Sequence, residues 1–277
     1  MPELPEVETV VRTLEYQLQN IEISDVQITY EKVIDNVASS LFIERLKGQC
    51  FREYKRLGKY LIFVLDDVVL IAHMRMEGKF FVRQQKKDYD KKHVHIRFIL
   101  GDTRVLHYHD TRKFGRFYLY PKQMPMFQYT CFKNVGYDVF DERVNGAYIY
   151  QHAKHRKITI KQFLLDQRVV AGIGNIYADE ICFRIKIHPQ TKVYRLSKRD
   201  CENILMAARY ILTGAIKAGG TTIRSYTSSL GVDGRFQLEL KVHNRQGEAC
   251  YQCGTTLKKI VIGGRGTCFC KQCQQRK

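Results

Sequence analysis

Four of the nine cysteines in this 277-residue chain form two pairs, Cys250-x2-Cys253 and Cys270-x2-Cys273, with 16 residues between them. A two-residue spacing lets both thiolates of a pair face one cation, and two such knuckles complete the tetrahedron that zinc takes in structural sites. The metal would replace the core that a hairpin of roughly 25 residues cannot build for itself. Gly254, just after the first pair, and Gly263-Gly264 between the pairs suit the turns of such a hairpin. One structural zinc held by Cys250, Cys253, Cys270 and Cys273 is the expectation. Two alternatives are a disulfide framework, disfavoured by the odd cysteine count, and a catalytic zinc, disfavoured because four thiolates leave no open position. Cys268 stands two residues before Cys270 and could compete as a ligand. Cys50, Cys131, Cys182 and Cys201 lie among apolar residues and read as packed thiols.

The other end of the chain carries a second kind of chemistry. Trimming of Met1 would expose the secondary amine of Pro2. An α-amino group titrates well below lysine, so a useful fraction is neutral and nucleophilic near pH 7. Attack by such an amine on a sugar C1′ gives a charged iminium, an electron sink that promotes elimination. Glu3 follows at once as a candidate proton donor. Taken alone, Met-Pro-Glu is a weak signal, since Pro2 serves equally as a processing stop and a helix entry.

These groups need elements to hold them. Val7, Val10, Val11, Leu14 and Leu18 recur at helical spacing over Glu3–Leu18, with Pro5 in the first turn. From Ile21 to Tyr120 the pattern is β-rich, with runs at Tyr60–Leu65, Val68–Met74, Val94–Leu100 and Arg104–Tyr108. Beyond Pro121–Asp138 the period turns helical. Ile158–Asp166 and Ile173–Ile185 are short helices, and a longer one opens at Ser197 with Asp200 as its capping partner and stops at Gly219-Gly220. Residues 219–234 hold ten Gly, Ser or Thr and should form a mobile loop. Phe236–His243 alternates like a strand. The formal charge of +18 favours a polyanionic partner, and no apolar run is long enough to span a membrane. The amino-terminal segment has no signal-peptide core, so a cytoplasmic protein is expected.

The opening MPELPEVETV (Met1–Val10) and the closing CGTTLKKIVIGGRGTCFCKQCQ resemble the formamidopyrimidine-DNA glycosylases, bacterial repair enzymes for 8-oxoguanine. The resemblance runs the length of the chain, through RLGKYL (Arg56–Leu61), HMRMEGK (His73–Lys79), DTRKFG (Asp110–Gly115), LLDQ (Leu164–Gln167) and AGIGNIYADE (Ala171–Glu180). Lys271 and Cys268 depart from the residues usual at their positions in that family. The resemblance implies an α+β fold: an N-terminal β-sandwich with flanking helices over residues 1–130, a helix-two-turn-helix domain over 131–235, and a zinc-finger hairpin over 236–277. It implies Pro2 as the Schiff-base nucleophile, Glu3 as general acid, and Lys59 beside them.

An enzyme acting at C1′ must turn the nucleotide out of the stack. Met76, Arg112 and Phe114 match the family's void-filling triad, and the basic surroundings of Phe114 favour an exposed loop tip over the core. His73, Asn175 and Arg265 are implied phosphate ligands, Asn175 at a helix start where free N–H groups seat an anion, although a plain N-cap fits the same geometry. Thr221, Thr222, Ile223, Arg224, Ser225 and Tyr226 match the lesion-recognition loop, with Glu77 facing the turned-out base or, equally, serving as a helix cap or surface residue. The implied activity is excision of oxidised purines opposite cytosine in double-stranded DNA, then β,δ-elimination, by a monomer in the bacterial cytosol. Two alternatives remain. One is an endonuclease VIII-like enzyme for oxidised pyrimidines, against which Leu4 and Arg112-Lys113-Phe114 speak; the other is a non-catalytic zinc-ribbon DNA-binding protein.

Overall fold

The computed structural model describes residues 1–85, 91–221 and 235–277. Contacts divide the chain into two compact units, Met1–Lys133 with Gly219–Gly234, and Asn134–Ala218 with Arg235–Lys277.

In the first unit, α1 (Leu4–Leu18) begins with Pro5 in its first turn, and the Glu6 carboxylate accepts the Glu3 N–H at 2.8 Å. That bond satisfies one of the donors a helix start leaves open. The apolar face of α1 and that of α2 (Ser39–Leu46) pack on a sandwich of two antiparallel four-stranded sheets. The strands are β1 (Ile23–Ile28), β2 (Glu53–Leu57), β3 (Tyr60–Val64), β4 (Val68–His73), β5 (Lys79–Gln84), β6 (Val94–Leu100), β7 (Arg104–His109) and β8 (Arg116–Pro121). One sheet runs β1-β6-β7-β5 and the other β2-β3-β4-β8. Phe80, Phe98, Leu106 and Tyr108 from the first meet Phe63, Leu70, Phe117 and Leu119 from the second in one core.

The register places three loops at one end of this sandwich. Leu57 pairs with Tyr60 across the Gly58-Lys59 turn, Tyr60 pairs with His73, and His73 pairs with Arg116. Residues 74–78 and 110–115 leave that end and connect the sheets, joining β4 to β5 and β7 to β8. Lys79 pairs with His109, which brings the two connections together.

The second unit holds β9 (Tyr137–Asp138), α3 (Gly146–Ala153), α4 (Ile160–Leu165), β10 (Val170–Ala171), α5 (Asn175–Arg184), α6 (Lys198–Lys217) and the hairpin β11 (Lys258–Ile262) to β12 (Arg265–Phe269). The Ser197 and Asp200 capping box opens α6, and Thr159 with Gln162 makes another at α4. Gly263-Gly264 turn the hairpin, both with positive φ, and a side chain on Gly263 would meet Gln162 of α4. The hairpin therefore packs on the helices, with β12 against α5.

One expectation fails. Phe236–His243 forms no strand; Phe236–Glu239 is a single 3-10 turn, and the N–H groups of Lys241, Val242 and His243 donate to the Glu180 carboxylate, each at 2.9 Å. A carboxylate on α5 takes the bonds that a strand would have given to a neighbour.

Candidate functional site

Pro2 and Glu3 are both buried at the start of α1. Arg56 fixes the helix to the β2–β3 hairpin: its guanidinium meets the Glu8 carboxylate at 2.7 Å and donates to the Gly58 carbonyl at 2.9 Å. Burial would raise the Glu8 pKa, but the hydrogen bonds and charges of Arg56 and then Arg12 outweigh it and hold the group below its usual range. This clamp sets the Gly58-Lys59 turn against the helix start. Lys59 is 6% exposed. The amino group at Met1 is pushed below its ordinary value of 8.0, first by burial; the charges of Glu3, Glu6 and Glu77 oppose this, while Lys59 adds to it. Those four charged residues thus surround the chain start.

Glu6, in the first turn of α1, bonds in two directions. While one oxygen accepts the Glu3 N–H, the other accepts the N–H and hydroxyl of Thr221 at 2.8 and 3.0 Å. Gly220 has φ +81°, and a Cβ there would lie 2.9 Å from the same oxygen. Thr221 is therefore held beside the helix start. Thr222, Ile223, Arg224, Ser225 and Tyr226 lie outside the described residues.

His73, at the end of β4, is buried and accepts the Arg75 N–H at Nδ1, 3.0 Å. Burial, aided by the charges of Arg75 and Lys59, pushes its pKa down to about 3. The ring is neutral at pH 7, and the accepted bond leaves its proton on Nε2, a donor suited to an anionic oxygen.

Asp110 organises the neighbouring loop. Its carboxylate accepts the N–H groups of Arg112, Phe114 and Gly115 at 3.0, 3.0 and 2.8 Å, and the Tyr108 hydroxyl at 3.2 Å. Fully buried, it folds residues 111–115 around itself and turns Arg112, Lys113 and Phe114 outward. Phe114 is 47% exposed, with the Arg112 guanidinium 4.7 Å over its ring. Gly115 is obligatory, since a Cβ there would sit 1.6 Å from the Tyr108 hydroxyl. Met76 is half-buried on the adjoining connection, and Thr111 donates its hydroxyl to Glu77, linking the two loops. In the sequence Asp110 stands out only as the first residue of DTRKFG, although an Asp two to five residues before exposed Arg, Phe and Gly is a local turn signal.

In the second unit Asn175 is the first residue of α5, and Gly174, with no side chain, is the N-cap. Asn175 is thus not the cap, and its Nδ2 donates to the Gly266 carbonyl on β12 at 3.1 Å. Arg265 is exposed at the tip of the same hairpin.

The four thiols at Cys250, Cys253, Cys270 and Cys273 lie within 4.8 Å of one another. Cys250 to Cys273 is 3.9 Å and Cys253 to Cys270 is 3.4 Å. A zinc ion bonded to four sulfurs at its usual distance spaces them by about 3.8 Å, so the residues fit one structural zinc. Cys268 is outside this cluster, packed with Phe183, Val242 and Leu257, and burial raises its pKa.

Sequence profiles match along the chain: the formamidopyrimidine-DNA glycosylase N-terminal domain at residues 1–117, the formamidopyrimidine-DNA glycosylase H2TH domain at 135–227, and a zinc finger found in FPG and IleRS at 247–276. The formamidopyrimidine-DNA glycosylase of Bacillus anthracis is 43% identical over 277 residues, covering 100% of both chains. That of Mycoplasma genitalium is 40% identical, covering 99% of this chain and 96% of its own. The fold is similar to Lactococcus lactis Fpg in complex with abasic-site DNA, with a TM-score of 0.91 and 36% identity over 99% of this chain and 100% of that one. A complex of the same protein with N7-benzyl-Fapy-dG DNA gives a TM-score of 0.92 at 36% identity, with the same coverage.

Proposed function

The chain belongs to the formamidopyrimidine-DNA glycosylase family, and from that premise we propose that Pro2, Glu3 and Lys59 carry out its chemistry on an oxidised purine turned out of duplex DNA. The chain is a base-excision DNA glycosylase and AP lyase with one structural zinc. Among the described residues no helix is long and apolar enough to cross a membrane.

The observation that carries the residue assignment is the setting of the chain start, a half-buried Met1 amine held down in pKa among Glu3, Glu6, Lys59 and Glu77. With Met1 removed, the Pro2 nitrogen takes over this position. Its lone pair bonds C1′ as the glycosidic bond breaks with its electrons on the base; the proton of the attacking N–H passes to the departing base, and the freed nitrogen lone pair then opens the sugar ring to the iminium as Glu3 supplies a proton to the ring oxygen. The resulting iminium accepts the electrons released in the β- and δ-eliminations. Lys59 lowers the amine's pKa and offers a charge to phosphate.

Around this centre, Met76, Arg112 and Phe114 fill the vacated stack. Unstacking costs a few kcal/mol per step, and burying an exposed phenylalanine offsets about 2–3 kcal/mol of it. His73, Asn175, Arg265 and Lys59 hold phosphates, which positions the strand without reading sequence. Thr221–Tyr226 and Glu77 face the lesion. Labour divides as residues 1–130 for chemistry, 131–235 for backbone grip and lesion contact, and 236–277 for the zinc-braced hairpin. The enzyme works as a monomer in the bacterial cytosol, on lesions opposite cytosine. The damaged DNA bound by the Lactococcus lactis relative supports this substrate class.

Borohydride trapping tests the assignment. A duplex carrying 8-oxoguanine opposite cytosine should yield a covalent adduct with the processed protein, and Pro2→Gly should yield little. Equal trapping by the variant would defeat the nucleophile assignment, and preferential trapping on oxidised thymine would favour the endonuclease VIII-like alternative.

A further inference from the structure

Lys161 and Asp179 pair inside the second unit with no exposed side-chain surface, Nζ to Oδ1 at 2.5 Å. The attraction in such a pair rarely exceeds the cost of drying both charges, and well-packed apolar replacements are often as stable. What distinguishes this pair is where its remaining hydrogen bonds lead. Lys161 Nζ also donates to the carbonyl of Asn175 at 2.8 Å, at the first residue of α5. The other Asp179 oxygen takes His243 Nδ1 at 2.8 Å and the Cys268 N–H at 3.2 Å. Cys268 lies on β12, between Arg265 at the strand's start and zinc-site Cys270 just past its end. The same strand accepts the Asn175 side chain at Gly266.

Asn175 is therefore gripped twice, its main chain through Lys161 and its amide through β12. Its Oδ1 is buried and has no hydrogen-bond partner among the described residues. Resting on the glycosylase reading, which makes Asn175 and Arg265 phosphate ligands, we propose that Asp179 is a positioning residue that locks the first turn of α5 to the strand bearing Arg265. The zinc-braced hairpin and the helix start then present their phosphate contacts as one rigid surface. His243 orients the carboxylate, and Lys161 relays it to the Asn175 carbonyl.

A double-mutant cycle on the zinc-loaded protein tests this, read as affinity for a duplex carrying a tetrahydrofuran abasic analogue. Asp179→Asn should weaken binding roughly tenfold, the scale on which members of one hydrogen-bond network couple. Zinc content should stay at one ion per chain. The loss should be non-additive with Asn175→Ala and additive with Phe114→Ala, which lies in the other unit. Because Asp179→Asn leaves Lys161 unbalanced and could misfold, His243→Leu is the second variant; it keeps the ion pair whole and should give a smaller loss with the same non-additivity. Additivity of His243→Leu with Asn175→Ala, or binding lost only in proportion to zinc lost, overturns the proposal. Borohydride trapping of the unmutated protein reports separately on the glycosylase reading.

Discussion

A secondary amine is a nucleophile only while unprotonated, so the charges around the chain start govern how much active protein exists at a given pH. At the Met1 amine burial lowers the pKa from 8.0, three glutamates oppose that, and Lys59 reinforces it; the Pro2 nitrogen, one residue on, meets the same neighbours once Met1 is gone. The sign for Lys59 follows directly: removing a neighbouring positive charge stabilises the protonated amine and raises its pKa. The trapping rate should therefore rise with pH to a plateau, with a midpoint set by deprotonation of the amine. In Lys59→Met the midpoint should move to higher pH, quite apart from any fall in the plateau. A rate profile against pH measures both, and an unmoved midpoint in the variant would remove Lys59 from the amine's surroundings. His73 stays neutral throughout that range, because its pKa is pushed down to about 3.

At the scale of elements, exposed functional side chains depend on buried carboxylates that never meet solvent. Asp110 alone accepts three backbone N–H groups of the loop that bears Arg112 and Phe114. Asp110→Asn would aim an amide donor at N–H groups that need an acceptor, which should cost about 1–3 kcal/mol of stability. Excision from a paired duplex should fall along with it, and 2-aminopurine placed beside the lesion should show less unstacking. Normal unstacking in the folded variant would mean that the loop does not need this anchor. Such anchors were hard to see in the sequence for a physical reason. Helix faces, the Ser197–Asp200 capping box and the cysteine pairs are local patterns, and each was legible. Glu6 and Thr221 are 215 residues apart, and nothing in either segment announces the partner. Phe236–His243 misled for the same reason, since its alternation resembles a strand until Glu180 on α5 claims three of its N–H groups. Asp110 was the exception, a local turn anchor passed over because its neighbours carried the more obvious chemistry.

For the molecule as a whole, the charge of +18 supplies attraction to DNA, but only those cations that neutralise phosphates in the complex contribute to the slope of affinity against salt. The hairpin makes this distinction measurable. Arg265 is exposed at its tip, Lys258 and Lys259 are exposed along β11, and four thiols brace its base. Without zinc, the hairpin keeps its few buried residues and the links from β12 to α5, too little to hold so small an element in one conformation. Each neutralised phosphate contributes about 0.9 to the slope of log affinity against log salt, so Arg265→Ala should lower that slope by roughly 0.9. Chelating the zinc should lower it further, because the lysines of β11 are released together with Arg265. Met1–Lys133 belongs to a separate compact unit, so its thermal unfolding should survive chelation while the transition of the second unit moves down. Affinity, slope and both transitions left unchanged after verified metal removal would show that the hairpin contributes nothing to the grip on DNA.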